Sequence, residues 1–160
     1  MELFNMAKHV MDRKAADNKY LHRDFHTGFD IGVAYIGERY GDNAVKEYLR
    51  NFTVYYYSPL IEKAKKQGFD AIADHLRNIY EIEETPEALT IEQTEKELKV
   101  GVSACPAVTY FNKTGHTPSK WYVEATATWG EALADALDYG FEMISYEPST
   151  GKAAYRFFKR

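Results

Sequence analysis

The sequence is short of several things. It has one cysteine and five prolines in 160 residues. A single thiol excludes an intramolecular disulfide and any zinc or iron–sulfur centre built on cysteines. Long apolar runs are missing and the mean hydropathy is −0.51, which excludes a membrane-spanning helix. Basic charge is not in excess either. Twenty-four acidic residues against 20 basic ones give a net charge of −4, the wrong sign for a nucleic-acid-binding surface. There is no GxGxxG after a strand, no GxxxxGKS or GxxxxGKT, no GxSxG and no HExxH, so dinucleotide oxidoreductases, P-loop nucleotidases and α/β-hydrolases are disfavoured. The opening Met1-Glu2-Leu3-Phe4-Asn5 turns charged without the apolar stretch of a secretory signal, and the expected location is the cytoplasm.

What is present is a substantial core: 45% of the residues are hydrophobic and 15% aromatic, including 13 tyrosines. A chain of this length buries roughly 70% of its unfolded surface, enough for one domain over residues 1–160 without a staple. The first half, 1–86, reads as helices. From Arg23 to Tyr40 the residues Phe25, Phe29, Val33, Ile36 and Tyr40 recur every three or four positions. A second helix runs from about Asp42 to Gln67, with Pro59 predicting a kink or break near Tyr57-Ser58. A third runs from Phe69 to about Glu84, ended by Thr85-Pro86.

In the second half, 87–160, the period changes. Leu89, Ile91 and Gln93 alternate, as do Leu98, Val100 and Val102, which predicts a hairpin turning over Thr94–Glu97. Pro106 suits the first position of a short helix ending near Gly115. Trp121–Thr126 reads as a short extended stretch, followed by a helix from Trp129 to Asp138 with Thr128 as its cap and Gly140 closing it. Phe141–Glu147 and Lys152–Phe158 form a second hairpin around Pro148–Gly151. The predicted fold class is α+β: N-terminal helices packed on an antiparallel sheet of two hairpins, β-β-α-α-β-β in the C-terminal half.

Several residues stand out chemically. Cys105 falls at the N-cap of the helix begun by Pro106, where backbone donors and the helix dipole favour an anion, so the thiol is expected to ionise more readily than a free one and to serve as a nucleophile. Its other reading is a small apolar residue packed at a strand-to-helix junction. Bases are supplied by histidines. His116 lies in a loop within reach of a pocket; His22 and His26, four apart with Asp30 one turn on, have metal-holding spacing but also suit a solvated helix face. His9 and His75 sit on charged faces and receive no role. Glu124, a lone carboxylate among Trp121, Tyr122, Val123 and Ala125, suits an acid or base or a binder of cations, or a solvent-facing strand residue. Arg156, between aromatics on the last strand, suits a substrate carboxylate or an edge-strand surface. Of the consecutive Tyr55, Tyr56 and Tyr57, at most two are core, leaving a third such as Tyr56 for a cavity or an interface.

Cys105-Pro106-Ala107-Val108, Lys113-Thr114-Gly115, Pro118–Glu124, Tyr139–Met143, Thr150-Gly151 and Tyr155-Arg156-Phe157, with Tyr56–Ile61 upstream, resemble the bacterial L-2-amino-thiazoline-4-carboxylic acid hydrolase-like family over roughly residues 20–160. The resemblance implies hydrolysis of a cyclic amidine, the thiazoline ring, to an N-carbamoyl-cysteine. It implies Cys105, or a water activated by Glu124 or His116, attacking the amidine carbon, Arg156 anchoring a carboxylate, and Tyr122 and Trp129 walling the pocket. The family often carries a second cysteine after the last hairpin turn. Ala153 stands there, so a mechanism needing two thiols is not available. The architecture is also similar to small-molecule-binding domains of the vinyl-reductase type, and the alternative function is a non-catalytic binding or sensing module. The expected partner is a small-molecule ligand or substrate, with no nucleic acid, no membrane, no metal and no cofactor; the aromatic excess makes a homodimer plausible.

Overall fold

The computed structural model describes residues 19–160, with side chains from residue 25 onward. His9 and the side chain of His22 lie outside that range. The described residues form six α-helices and a four-stranded antiparallel sheet, an α+β fold.

Helix α1 (Lys19–Tyr40) places Phe29, Val33 and Ile36 on one face, against Val45 and Leu49 of α2 (Asp42–Tyr56). Pro59 splits the long second helix as expected. The chain breaks at Tyr57 and restarts as α3 (Ser58–Gln67), with the proline in the first turn, where its missing N–H costs nothing. Helix α4 (Phe69–Ile82) buries Phe69, Ile72, Ala73, Leu76 and Tyr80, the three-and-four spacing of an inward stripe.

The sheet follows, in the order β1-β2-β4-β3. Strand β1 (Leu89–Gln93) is an edge, and β2 (Glu97–Val102) turns Leu98, Val100 and Val102 inward. These pair with Phe157, Tyr155 and Ala153 of β4 (Lys152–Lys159), so one sheet face is a continuous apolar layer. Helix α4 and helix α6 (Glu124–Ala136) cover it. The opposite face carries Lys99, Arg156 and Glu142. Between β2 and α6 lies α5 (Pro106–Thr114), closed by Gly115 in the left-handed region.

Three local expectations are corrected. Trp121–Thr126 is not extended: the chain turns, with Glu124 N donating to Trp121 O at 2.9 Å and Ala125 N to Tyr122 O at 3.1 Å, and α6 begins at Glu124. The segment carries Ala125, Ala127, Ala132, Ala134 and Ala136, and alanine is the strongest helix former, so propensity overrides the alternation of aromatics. Thr128 is therefore inside the helix, fully buried, its hydroxyl donating to Glu124 at 2.6 Å. Gly140 does not close α6; it lies in β3 (Tyr139–Glu147), beneath the ring of Phe158, which a Cβ would overlap.

Strand β3 contains a bulge. Met143 pairs with Tyr155 but Ser145 pairs with Ala154, leaving Ile144 as the extra residue. The insertion reverses the alternation, so Tyr146 pairs with Ala153 and joins the inner face.

His75 is not on a charged surface. Its ring is held edge-on to Tyr57 at 5.5 Å and stacked near Trp129 at 6.5 Å, and its Nε2 is buried without a partner. Burial, aided by Lys63, pushes its pKa below the ordinary histidine value. The folded protein therefore resists protonation there. This residue's contribution to stability is constant above about pH 6.5 and declines as the pH falls below it toward the lower folded value. Chemical denaturation at pH 7.5, 6.5 and 5.5 should show a steeper acid loss in the wild type than in His75→Phe; equal pH slopes in the two proteins would rule this out.

Candidate active site around Cys105

Strand β2 ends at Val102, and three residues later Cys105 caps α5 with extended backbone (φ −78°, ψ 126°). Its amide donates to Thr150 O at 2.9 Å, tying the helix start to the β3–β4 turn. The next residue of that turn, Gly151, has φ +65° and presses against this junction: a Cβ there would overlap Cys105 Cβ and come within 2.9 Å of Val108. The half-buried Cys105 packs with Ala107, Val108, Phe111 and Tyr122.

Opposing influences act on its thiol. Burial is the largest and pushes the pKa up, and the charge of Glu83 adds to it. The amides of Val108 and Ala107 and the Tyr122 hydroxyl act as donors toward the sulfur and pull the pKa down. No side-chain cap bond of strict geometry forms at rest. Burial wins, so the thiol is protonated at neutral pH, and the expectation of a readily ionised cysteine is overturned.

Four tyrosines sense the thiolate charge: Tyr80 from α4, Tyr122 ahead of α6, Tyr146 from β3 and Tyr155 from β4. Burial raises all four, Tyr146 to about 12, and proximity to Cys105 raises them further. At neutral pH they are protonated phenols, able to donate. Two histidine–carboxylate pairs flank the group. His26 bonds the buried Glu83 at 2.8 Å, and His116 bonds the buried Asp30 at 2.7 Å. The charge of Asp30 acts on Tyr122 and Tyr146, and that of Glu83 on Cys105, Tyr80 and Tyr122. The arrangement offers a thiol, the phenol of Tyr122 packed beside it, and two imidazoles held by carboxylates.

Of the residues singled out in the sequence, Cys105 and Tyr122 meet here, His116 joins through Asp30, and His26 joins through Glu83. Glu124, Arg156, Trp129 and Tyr56 do not. Glu124 sits at the start of α6 in a separate cleft of about 330 Å³ lined by Asp42, Asn43, Lys46, Lys120 and Trp121, where Lys46 approaches it at 3.6 Å. Arg156 lies on the outer sheet face, one residue out of phase with Tyr155, and is taken by Glu142 at 2.7 Å and Glu97 at 3.3 Å. Trp129 packs edge-on against Phe157 at 5.9 Å. Phe157 is four strand residues from Ala153, about 13 Å along β4 at strand rise. Tyr56 is 64% exposed and stacks on Phe52. Glu83, Tyr80, Tyr146 and Tyr155 were missed as site residues. Alternation could have aimed Tyr155 inward, but nothing local in the sequence signals the bulge that turns Tyr146.

Among the described residues no cluster of histidine, cysteine and carboxylates is arranged to hold a metal ion, and no helix is long and apolar enough to cross a membrane. No family model, curated protein or solved structure matches the chain.

The Gly151 contact gives a direct check. Gly151→Ala places a side chain in the left-handed region and forces apart the helix start and the turn, at a cost of about 2–4 kcal/mol. Urea denaturation should show that loss, with faster alkylation of Cys105 in the folded protein. A variant as stable as the wild type would mean the turn and helix are not in contact.

Proposed function

We propose that the protein hydrolyses a small cyclic amidine, with Cys105 as nucleophile. The observation that carries this reading is the place of Cys105 at the start of α5, packed against Tyr122, with the charge of the His26-bonded Glu83 acting on its thiol. Donors that pull toward a resting sulfur stabilise it far more once it carries charge. The similarity to thiazoline-carboxylate hydrolase-like proteins supplies the substrate class, 2-aminothiazoline-4-carboxylate being its simplest member.

In this reading the His26–Glu83 pair takes the thiol proton and the Cys105 sulfur bonds to the amidine carbon, C2 of the ring. The bond from C2 to the ring sulfur breaks, and the departing sulfur receives the proton. Water then adds to C2 and the bond to Cys105 breaks, leaving a carbamoyl group on the opened product and restoring the thiol. One water is consumed and no electrons change hands. The carboxylates of Glu83 and Asp30 favour the cationic amidinium, and the four phenols supply neutral donors around it.

The burial that keeps the thiol protonated favours a second reading, a non-catalytic small-molecule-binding or sensing module using the same residues. A cytoplasmic location and self-association through the exposed Tyr48, Tyr55 and Tyr56 of α2 belong to the proposal in either case.

Turnover of 2-aminothiazoline-4-carboxylate, followed by release of a free thiol, tests the hydrolase reading. Cys105→Ala should lose at least about a thousandfold, the scale of a missing nucleophile. Arg156→Ala and Glu124→Gln should stay within about twofold of wild type, because neither residue reaches the thiol. Activity surviving Cys105→Ala removes the nucleophile; saturable binding without turnover establishes the binding module.

A further inference from the structure

Asp30 is 1% exposed, and three donors from the segment joining α5 to α6 converge on its carboxylate. His116 Nε2 lies 2.7 Å from Oδ2, Ser119 N donates at 2.9 Å to Oδ2 and 3.2 Å to Oδ1, and Ser119 Oγ donates at 2.7 Å to Oδ1. The carboxylate thus ties α1 to the chain just ahead of Tyr122. Ser119 O in turn accepts the amide of Tyr122 at 3.1 Å. The Tyr122 ring is wedged by two edge-on phenylalanines: Phe29, the residue before Asp30, at 6.4 Å, and Phe111 at 5.1 Å. Phe111 also meets the His116 ring at 4.9 Å. Asp30 therefore fixes the backbone that carries Tyr122 and two of the surfaces against which its ring is set.

We propose that Asp30 is a positioning residue which, through Ser119 and His116, holds the Tyr122 side chain against Cys105, with which it packs, so that its hydroxyl serves as a donor to the thiolate. The proposal rests on the reading of Cys105 as the reacting group, but it concerns the thiol itself and is tested without turnover.

The test turns on a difference of sign. A carboxylate near a thiol opposes its ionisation, so if Asp30 acted only through its charge, neutralising it would lower the thiol's pKa. If Asp30 acts by placing Tyr122, neutralising it loosens a donor and raises that pKa. Among the described residues, the other titratable groups around the sulfur are Glu83 with its partner His26, Tyr80, Tyr110, Tyr146 and Tyr155, and none of them changes in the variants used.

The experiment measures alkylation of Cys105 by iodoacetamide in the full chain, from pH 6 to 11, by mass spectrometry. Tyr122→Phe should move the midpoint up by about one pH unit, a roughly tenfold slower reaction at fixed pH below it, as expected for losing one hydrogen bond to a charged acceptor. Asp30→Asn should raise the midpoint similarly. The double variant Asp30→Asn with Tyr122→Phe should go no higher than Tyr122→Phe alone, because both remove the same donor. Ser119→Ala, which keeps the charge and the backbone amide, should raise it by a smaller amount and carries the test if Asp30→Asn does not fold. An unchanged or lowered midpoint in Asp30→Asn, additive shifts in the double variant, or an unchanged midpoint in Ser119→Ala overturns the proposal. Failure of the hydrolase reading registers separately, as turnover that survives Cys105→Ala.

Discussion

The site depends on the contact between the start of α5 and the turn of the β3–β4 hairpin. The amide of Cys105 is held by Thr150, and Gly151 sits so close to Cys105 and Val108 that only a residue without a side chain fits. Because β4 is the central partner of both β2 and β3, this one contact fixes the helix start relative to the whole sheet. It also buries the thiol. Burial and the helix amides then compete over the same sulfur, and their balance, in favour of the protonated form, follows from how tightly the turn is pressed against the helix.

The half-buried Cys105 lies in a part of the fold rich in tyrosine. A phenol has an apolar ring and one polar tip, so it fills core volume while keeping a donor at a chosen point. Tyr80, Tyr122 and Tyr155 are each at most 8% exposed and come from a helix, a turn and a strand; Tyr122 packs directly with Cys105, and the charge of the thiolate acts on the other two. Their raised pKa values mean that none competes with Cys105 for the role of anion. Among the described residues, the carboxylates whose charge acts on this group are Glu83 and Asp30, and each is bonded to a histidine.

Much of the architecture was legible in the sequence because it follows from local rules. The break at Tyr57 follows from Pro59, the inward faces of β2 and β4 from alternation, and the capping position of Cys105 from Pro106. The site was legible only in part. Glu124 was assigned to a strand because the residues around it alternate, while the alanines that follow carry the helix back over it. Arg156 is expected at a substrate carboxylate, yet it is the residue next to the inward Tyr155, and adjacent strand residues point to opposite faces. Asp30 reads in the sequence only as a continuation of the His26 face, whereas its hydrogen-bond partners His116 and Ser119 lie 86 and 89 positions away. Such contacts leave no periodic trace. The bulge at Ile144 is similar: one inserted residue decides whether Tyr146 faces the thiol or the solvent, and no turn residue or proline marks it.

A thiol held protonated by burial is a poor nucleophile until something nearby supplies positive charge. An amidinium placed beside Glu83 and the phenols would do that. It favours the thiolate electrostatically, and it carries the electrophilic carbon that the thiolate attacks. In the proposed reaction, charge recognition and activation would then be one event. The same balance shields the thiol from adventitious electrophiles and oxidants, which act on the thiolate.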